Sequence, residues 1–158
     1  SPHITLDLIK KYPNENWNWF SLSFSDKINI NFVILFQEKD WDWSSICRLS
    51  NIPWDFISNN LDKNLYWYSL SINCIIDINI IKETKDNPQV KWNWYGLSIN
   101  KHLKIEDILE NLDLPWNFDC IQERNDIYWK HITKYPKIKW GPQYIGKHPN
   151  KKNGNQHS

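Results

Sequence analysis

The chain has 158 residues, with 19 lysines and arginines against 18 acids and a formal net charge of +1. That is the length of one ordinary domain, able to bury roughly 70% of its extended surface. The near-zero charge gives no global pull toward nucleic acid or anionic membrane. No apolar run approaches 18 residues, so no membrane span is expected. Ser1-Pro2-His3 has neither a charged nor an apolar leader region.

In chain order, the first predicted element runs from Thr5 to Tyr12. Leu6 and Ile9 stand three residues apart, on one helical face. Thr5 is placed to cap the first turn, Asp7 puts a carboxylate near the positive end of the dipole, and Pro13 stops the helix. A second helix is expected to start near Trp17, with Trp19 and Leu22 on its buried face, and to end at Ser23. Trp17 and Trp19 would also share one face of a strand. The spacing from Ile4 to Ile9 and the prolines at fixed offsets favour helices of about eight to ten residues.

Everything after residue 24 repeats this pair. Trp17-Asn18-Trp19 returns as Trp41-Asp42-Trp43 and Trp92-Asn93-Trp94, with Trp116-Asn117-Phe118 as a close variant. Shifts of 24, 48, 72, 99 and 123 residues superpose the chain, the three extra residues falling around Lys85-Asp86-Asn87. Ile9 then aligns with Val33, Ile57, Ile81, Ile108 and Ile132, and Leu22 with Ile46, Leu70, Leu97, Ile121 and Ile145. The Ile4, Trp17 and Trp19 positions stay apolar in the same way. Pro88 and Pro136 repeat the role of Pro13, and Pro115 before Trp116 suits a first-turn position.

The expected fold class is therefore all-α, a short α-solenoid of six helix-turn-helix repeats. The units cover about 1–24, 25–48, 49–72, 73–99, 100–123 and 124–146. Residues 1–146 form a single repeat domain. Residues 147–158 form a polar, basic tail expected to be disordered. Helices this short are not stable alone in water and need neighbouring units to cover their apolar faces. With about 9–10 Å between layers, six units would span on the order of 55 Å.

The pattern Ile4-Thr5-Leu6-Asp7-Leu8-Ile9, Tyr12-Pro13-Asn14 and Trp17-Asn18-Trp19-Phe20-Ser21-Leu22-Ser23 resembles the Asn-Pro-Asn-Ile-Thr/Trp-Asn-Trp repeat proteins of giant DNA viruses of the mimivirus kind. The resemblance extends to about Ile145. The chain departs from it at Leu65, where a tryptophan is expected, at Gln37, where a proline is expected, and at Ser1-Pro2-His3. The resemblance implies a viral repeat scaffold acting in the host cytoplasm or the virion. It transfers no catalytic residue.

Catalytic chemistry has little to stand on. Cys47, Cys74 and Cys120 show no Cys-x-x-Cys spacing and read as reduced thiols. The five histidines have no ligand spacing with them, and no phosphate loop, nucleophile elbow or zinc-protease motif is present. No enzyme activity, cofactor, metal or small-molecule substrate is expected. Tryptophans recurring at one phase in most copies read as filler between units rather than as a ligand platform.

Function is sought where the repeat is broken or left exposed. The residues between the paired aromatics, Asn18, Asp42, Tyr66, Asn93 and Asn117, are the candidate binding positions for a protein partner or a second copy. Asp107 and His131 replace the apolar residue of the Leu8 position and are expected to face solvent near an open end, with a contact between them as an alternative. From Lys130 onward there are seven lysines and no acid, against a balance of −6 in the first 129 residues. Lys130, Lys134, Lys137 and Lys139 are therefore the candidates for an alternative function, nucleic-acid binding.

Overall fold

Helix formation starts, in most segments, at a side chain that accepts a hydrogen bond from the turn it precedes. A computed structural model describes residues 5–142 and residue 144. Thr5 Oγ1 accepts from the Leu8 N–H, and Asn29 and Asp77 do the same for Phe32 and Ile80. These residues open α1 (Leu6–Lys11), α3 (Ile30–Leu35) and α7 (Ile78–Thr84). The counterparts α5 (Trp54–Ser58), α9 (Ile105–Leu109) and α11 (Trp129–Lys134) begin after Pro53, Lys104 and Tyr128.

Between them lie α2 (Trp19–Leu22), α4 (Trp43–Ile46), α6 (Trp67–Asn73), α8 (Trp94–Ser98) and α10 (Phe118–Gln122). The described residues are thus mostly helical, in eleven helices of four to seven residues. These are shorter than the expected eight to ten. The reason is that Trp17, Trp41, Trp92 and Trp116 lie before the second helices and not in them. Pro115 is correspondingly an exposed loop residue two places ahead of the Asn117 cap, not a first-turn residue.

The displaced tryptophans have a structural task. The indole N–H of Trp17 donates to the Tyr12 carbonyl at 2.7 Å, Trp41 to Phe36 at 2.8 Å, Trp116 to Asn111 at 2.8 Å and Trp140 to Tyr135 at 3.0 Å. Each adds a second donor to a carbonyl just past the preceding helix, which also accepts from a backbone N–H three residues on. After the three-residue insertion, Trp92 donates to Thr84 Oγ1 instead.

The core follows the sequence columns. Ile9, Val33, Ile57, Ile81 and Ile108 are buried, as are Ile46, Leu70, Leu97 and Ile121, and Ile28, Ile52, Ile76, Leu103 and Ile127. At the two ends Leu22 and Ile132 are only half-buried. Aromatic rings interlock across the segments: Trp19 meets Trp41 edge-on at 5.3 Å, Trp67 meets Trp92 at 5.2 Å, and Trp94 meets Trp116 at 5.2 Å.

One feature had no sequence precursor. Ile52–Pro53 (β1) and Cys74–Ile75 (β2) form a two-residue parallel bridge, with Ile52 opposite Cys74. Asn51 enters it at φ 59°, the left-handed region that asparagine tolerates better than most residues. Among the described residues, no helix is long and apolar enough to cross a membrane.

Candidate interaction surface

Four of the five candidate binding residues are engaged locally. Asn18, Asp42, Asn93 and Asn117 are the N-caps of α2, α4, α8 and α10, their side chains accepting from the N–H groups of Ser21, Ser45, Gly96 and Cys120. Asparagine and aspartate recur there because a short acceptor side chain satisfies an otherwise open helix donor. Tyr66 is different: a phenol cannot reach back to its own helix, no side-chain cap forms, and the residue is 53% exposed.

The backbone of these same residues forms a ladder that the sequence reading missed. The side chain of Ser23 accepts from the Asp42 N–H at 2.8 Å, Cys47 from Tyr66 at 3.4 Å, Ser71 from Asn93 at 2.9 Å, Ser98 from Asn117 at 2.9 Å and Gln122 from Gly141 at 2.7 Å. All five acceptors occupy the same place in the 24-residue pattern. The available signal was the series Ser23, Cys47, Ser71, Ser98, Gln122, a polar or thiol residue in fixed register among apolar columns. Ser23, Ser71 and Ser98 are buried with no loss of hydrogen bonding, since each hydroxyl also donates to the carbonyl four residues back.

Longer polar side chains reinforce the junctions. The Arg48 guanidinium donates to the carbonyls of Ser23 and Ser25, and the Asn100 amide donates to those of Ser71 and Cys74. Arg124 reaches Ser98, Asn100 and Leu103 while paired with Asp126 at 2.8 Å.

With the polar groups of the junctions engaged, the outward residues of the second helices stand out. Tyr68 and Tyr95 are 38% and 47% exposed, and their rings stack at 6.0 Å with 25° between planes. Tyr66 continues the row, its ring 6.1 Å from that of Tyr68. The close approach of α6 and α8 depends on Gly96, where a Cβ would lie 2.8 Å from Ser71 Cβ and 2.9 Å from the Tyr68 carbonyl oxygen. The Tyr95 hydroxyl sits against the Cys120 thiol, which pushes that phenol above its ordinary range. Beyond it a groove of about 380 Å3 is lined by Ile99, Lys101, Cys120, Glu123 and Asp126. Near the start of the chain, Ile9, Trp17 and Leu22 line a smaller apolar hollow of about 190 Å3.

His131 overturns its expectation of solvent exposure. It is 4% exposed, its Nδ1 accepts from the Tyr128 N–H at 2.9 Å, and its Nε2 lies 2.9 Å from Glu106 Oε1. The imidazole fits an otherwise apolar position because both ring nitrogens have partners. The carboxylate on that ring is Glu106, one residue before the Asp107 that spacing pointed to. Its hydrogen bond with His131 holds Glu106 below the ordinary carboxylate range.

Of the lysine candidates, Lys130 lies 3.7 Å from Glu106 and Lys134 lies 3.6 Å from Glu110, while Lys137 and Lys139 are exposed. Lys147, Lys151 and Lys152, with the rest of the basic tail, lie outside the described residues. All three cysteines are free and buried. Burial pushes the Cys47 thiol up to about 11 and that of Cys74 to about 12. No cluster of potential metal ligands occurs among the described residues. Compared with family models, with curated proteins and with solved structures, the chain matches none.

Proposed function

We propose that this chain is a non-enzymatic scaffold of six stacked helix-turn-helix units that binds a protein partner or further copies of itself. The observation that supports it best is the ladder: one side-chain position accepts from one backbone position of the following unit at five successive junctions. Such a register is what translationally stacked repeats require, since each unit contacts chiefly its neighbours. It engages the recurring polar groups internally and leaves the outer face of the second helices to residues that vary between units, such as Phe20, Ser44, Tyr68, Tyr95 and Asp119. Large exposed aromatic side chains at such places are what protein interfaces use. The resemblance to giant-virus repeats adds a setting for this role, an infected host cell or a virion.

The test is crosslinking in infected-cell lysate with the full chain as bait, run in parallel with Tyr68→Ala/Tyr95→Ala. The expected result is a set of crosslinked proteins lost in the double variant while its circular dichroism stays unchanged. If the chain is monomeric at every concentration and captures nothing that depends on the tyrosines, the proposal falls.

A further inference from the structure

The hydrogen bonds of His131 admit one protonation state. Its Nδ1 accepts from the Tyr128 N–H at 2.9 Å, so the ring hydrogen is on Nε2, which donates it to Glu106 Oε1 at 2.9 Å. This is the neutral imidazole. A second proton has one place to go, Nδ1, where it would meet the Tyr128 N–H donor to donor at hydrogen-bond distance. Protonation and the Tyr128 bond therefore exclude each other.

The bond matters because of where it sits. Tyr128 stands at the N-cap of α11, where α1, α3 and α7 have a Thr, Asn or Asp acceptor. The imidazole, three residues on, reaches back to the N-cap N–H as a capping-box residue does. The rest of the last unit follows this helix, with Gly141 donating to the Gln122 side chain and the Tyr144 hydroxyl to the Ile121 carbonyl.

The charges around the ring set the direction. From α9, Glu106 favours a charged imidazole, but its side chain is 50% exposed and has Lys130 3.7 Å from the same oxygen, so its pull is screened. Asp107 follows it, about 100° round the helix. Glu110 is taken by Lys134 at 3.6 Å, and Asp126, ahead of Tyr128, by Arg124 at 2.8 Å. Against a charged ring stand its burial and the Tyr128 N–H aimed directly at the atom that would be protonated.

We propose that His131 is an acid-sensitive latch: a proton taken from solvent onto Nδ1 breaks the Tyr128 cap and frees α11, and the unit it opens, from α9 and α10. An imidazole released to solvent titrates at about 6.5. Opening therefore takes up a proton below that pH, and the closed unit is favoured above it. Glu106 adds its own loss only further down, below its ordinary value of 4.5. The latch does not depend on the protein-binding reading.

The test follows the full chain by nitrogen NMR of the imidazole and by amide hydrogen exchange, from about pH 7.5 to about pH 5. At the upper pH, Nδ1 should give the signal of an unprotonated nitrogen and Nε2 that of a protonated one. Toward the lower pH, the Ile132 and Tyr135 amides, which donate to the Tyr128 and His131 carbonyls, should lose protection at least tenfold after correction for the intrinsic rate. The Leu70 and Leu97 amides of α6 and α8 should keep theirs. His131→Gln, whose amide can still reach back to the Tyr128 N–H but does not titrate, should keep α11 protected throughout. Glu106→Gln should leave the loss near neutrality in place. Unchanged protection of α11 in the wild type, an equal loss in His131→Gln, or a loss that vanishes in Glu106→Gln overturns the inference. If His131→Gln does not fold, the nitrogen signals and the exchange of the wild type decide by themselves.

Discussion

A hydroxyl at the ladder position serves two junction partners, donating to the carbonyl four residues back and accepting from the next unit's N–H. Ser98 does this for Trp94 and Asn117. Ser98→Ala strands a backbone donor in a half-buried place and is expected to cost about 1–3 kcal/mol in urea denaturation. Cys47→Ser keeps both bonds and is expected to change stability by less than about 1 kcal/mol, the control for that reading. The His131–Glu106 contact adds a pH dependence. Because Glu106 sits below its ordinary value of 4.5 in the folded chain, its contribution is complete above that pH. It is lost as pH falls through the lower folded value. Glu106→Gln should therefore flatten the acid limb of a stability–pH curve, and an unchanged limb would show that the contact contributes nothing.

At the scale of the element, four to seven residues are too few for a helix to form by itself. Most of the short helices are met at the start by an Asn, Asp or Thr side chain, and α1, α3, α9 and α11 are followed by an indole N–H that adds a bond to a carbonyl just past the helix. Trp116→Phe keeps most of the apolar volume and removes the bond to Asn111, with an expected loss of about 1 kcal/mol. Gly96→Ala acts between elements. The added methyl meets the α6 backbone and Ser71, so α6 and α8 must part, at a cost of about 1–3 kcal/mol. The same separation should lower affinity for any ligand of the tyrosine row, which a titration alongside the wild type would read.

Across the whole molecule, two positions that are mostly buried further along the chain are half-buried near its start. Leu22 and Trp17 line an apolar hollow there, whereas their counterparts Ile46, Leu70, Trp41 and Trp116 are buried. Self-assembly through this face predicts sedimentation that rises with concentration and reverts to monomer in Ser21→Glu, which puts a charge on the rim without touching the core. A wild-type chain that stays monomeric at millimolar concentration would dispose of the self-assembly half of the proposal and leave the tyrosine row to carry the other.

How much of this was legible in the sequence depends on whether a residue's role is periodic. Apolar columns such as Ile9, Val33 and Ile57 announce a buried face because every copy solves the same packing problem, and the helical character follows from their spacing with the prolines. Helix starts were misplaced because Trp17 and its counterparts are apolar and recurrent while lying in the loop, a distinction that hydrophobic periodicity cannot draw. Pairings between units depend on the rise and turn from one unit to the next, which no spacing within a unit records. Hence Ser23 reads only as the end of a helix and His131 as an exposed anomaly, and although Tyr68 and Tyr95 stand at the same place in the pattern, 27 residues apart, spacing alone does not say that their rings meet. The sequence by itself determined the repeat, the helices and the buried columns, because those rest on local periodicity. Only the tertiary structure decided which polar groups are engaged between units and which aromatic rings meet outside, because both depend on how one unit is set against the next.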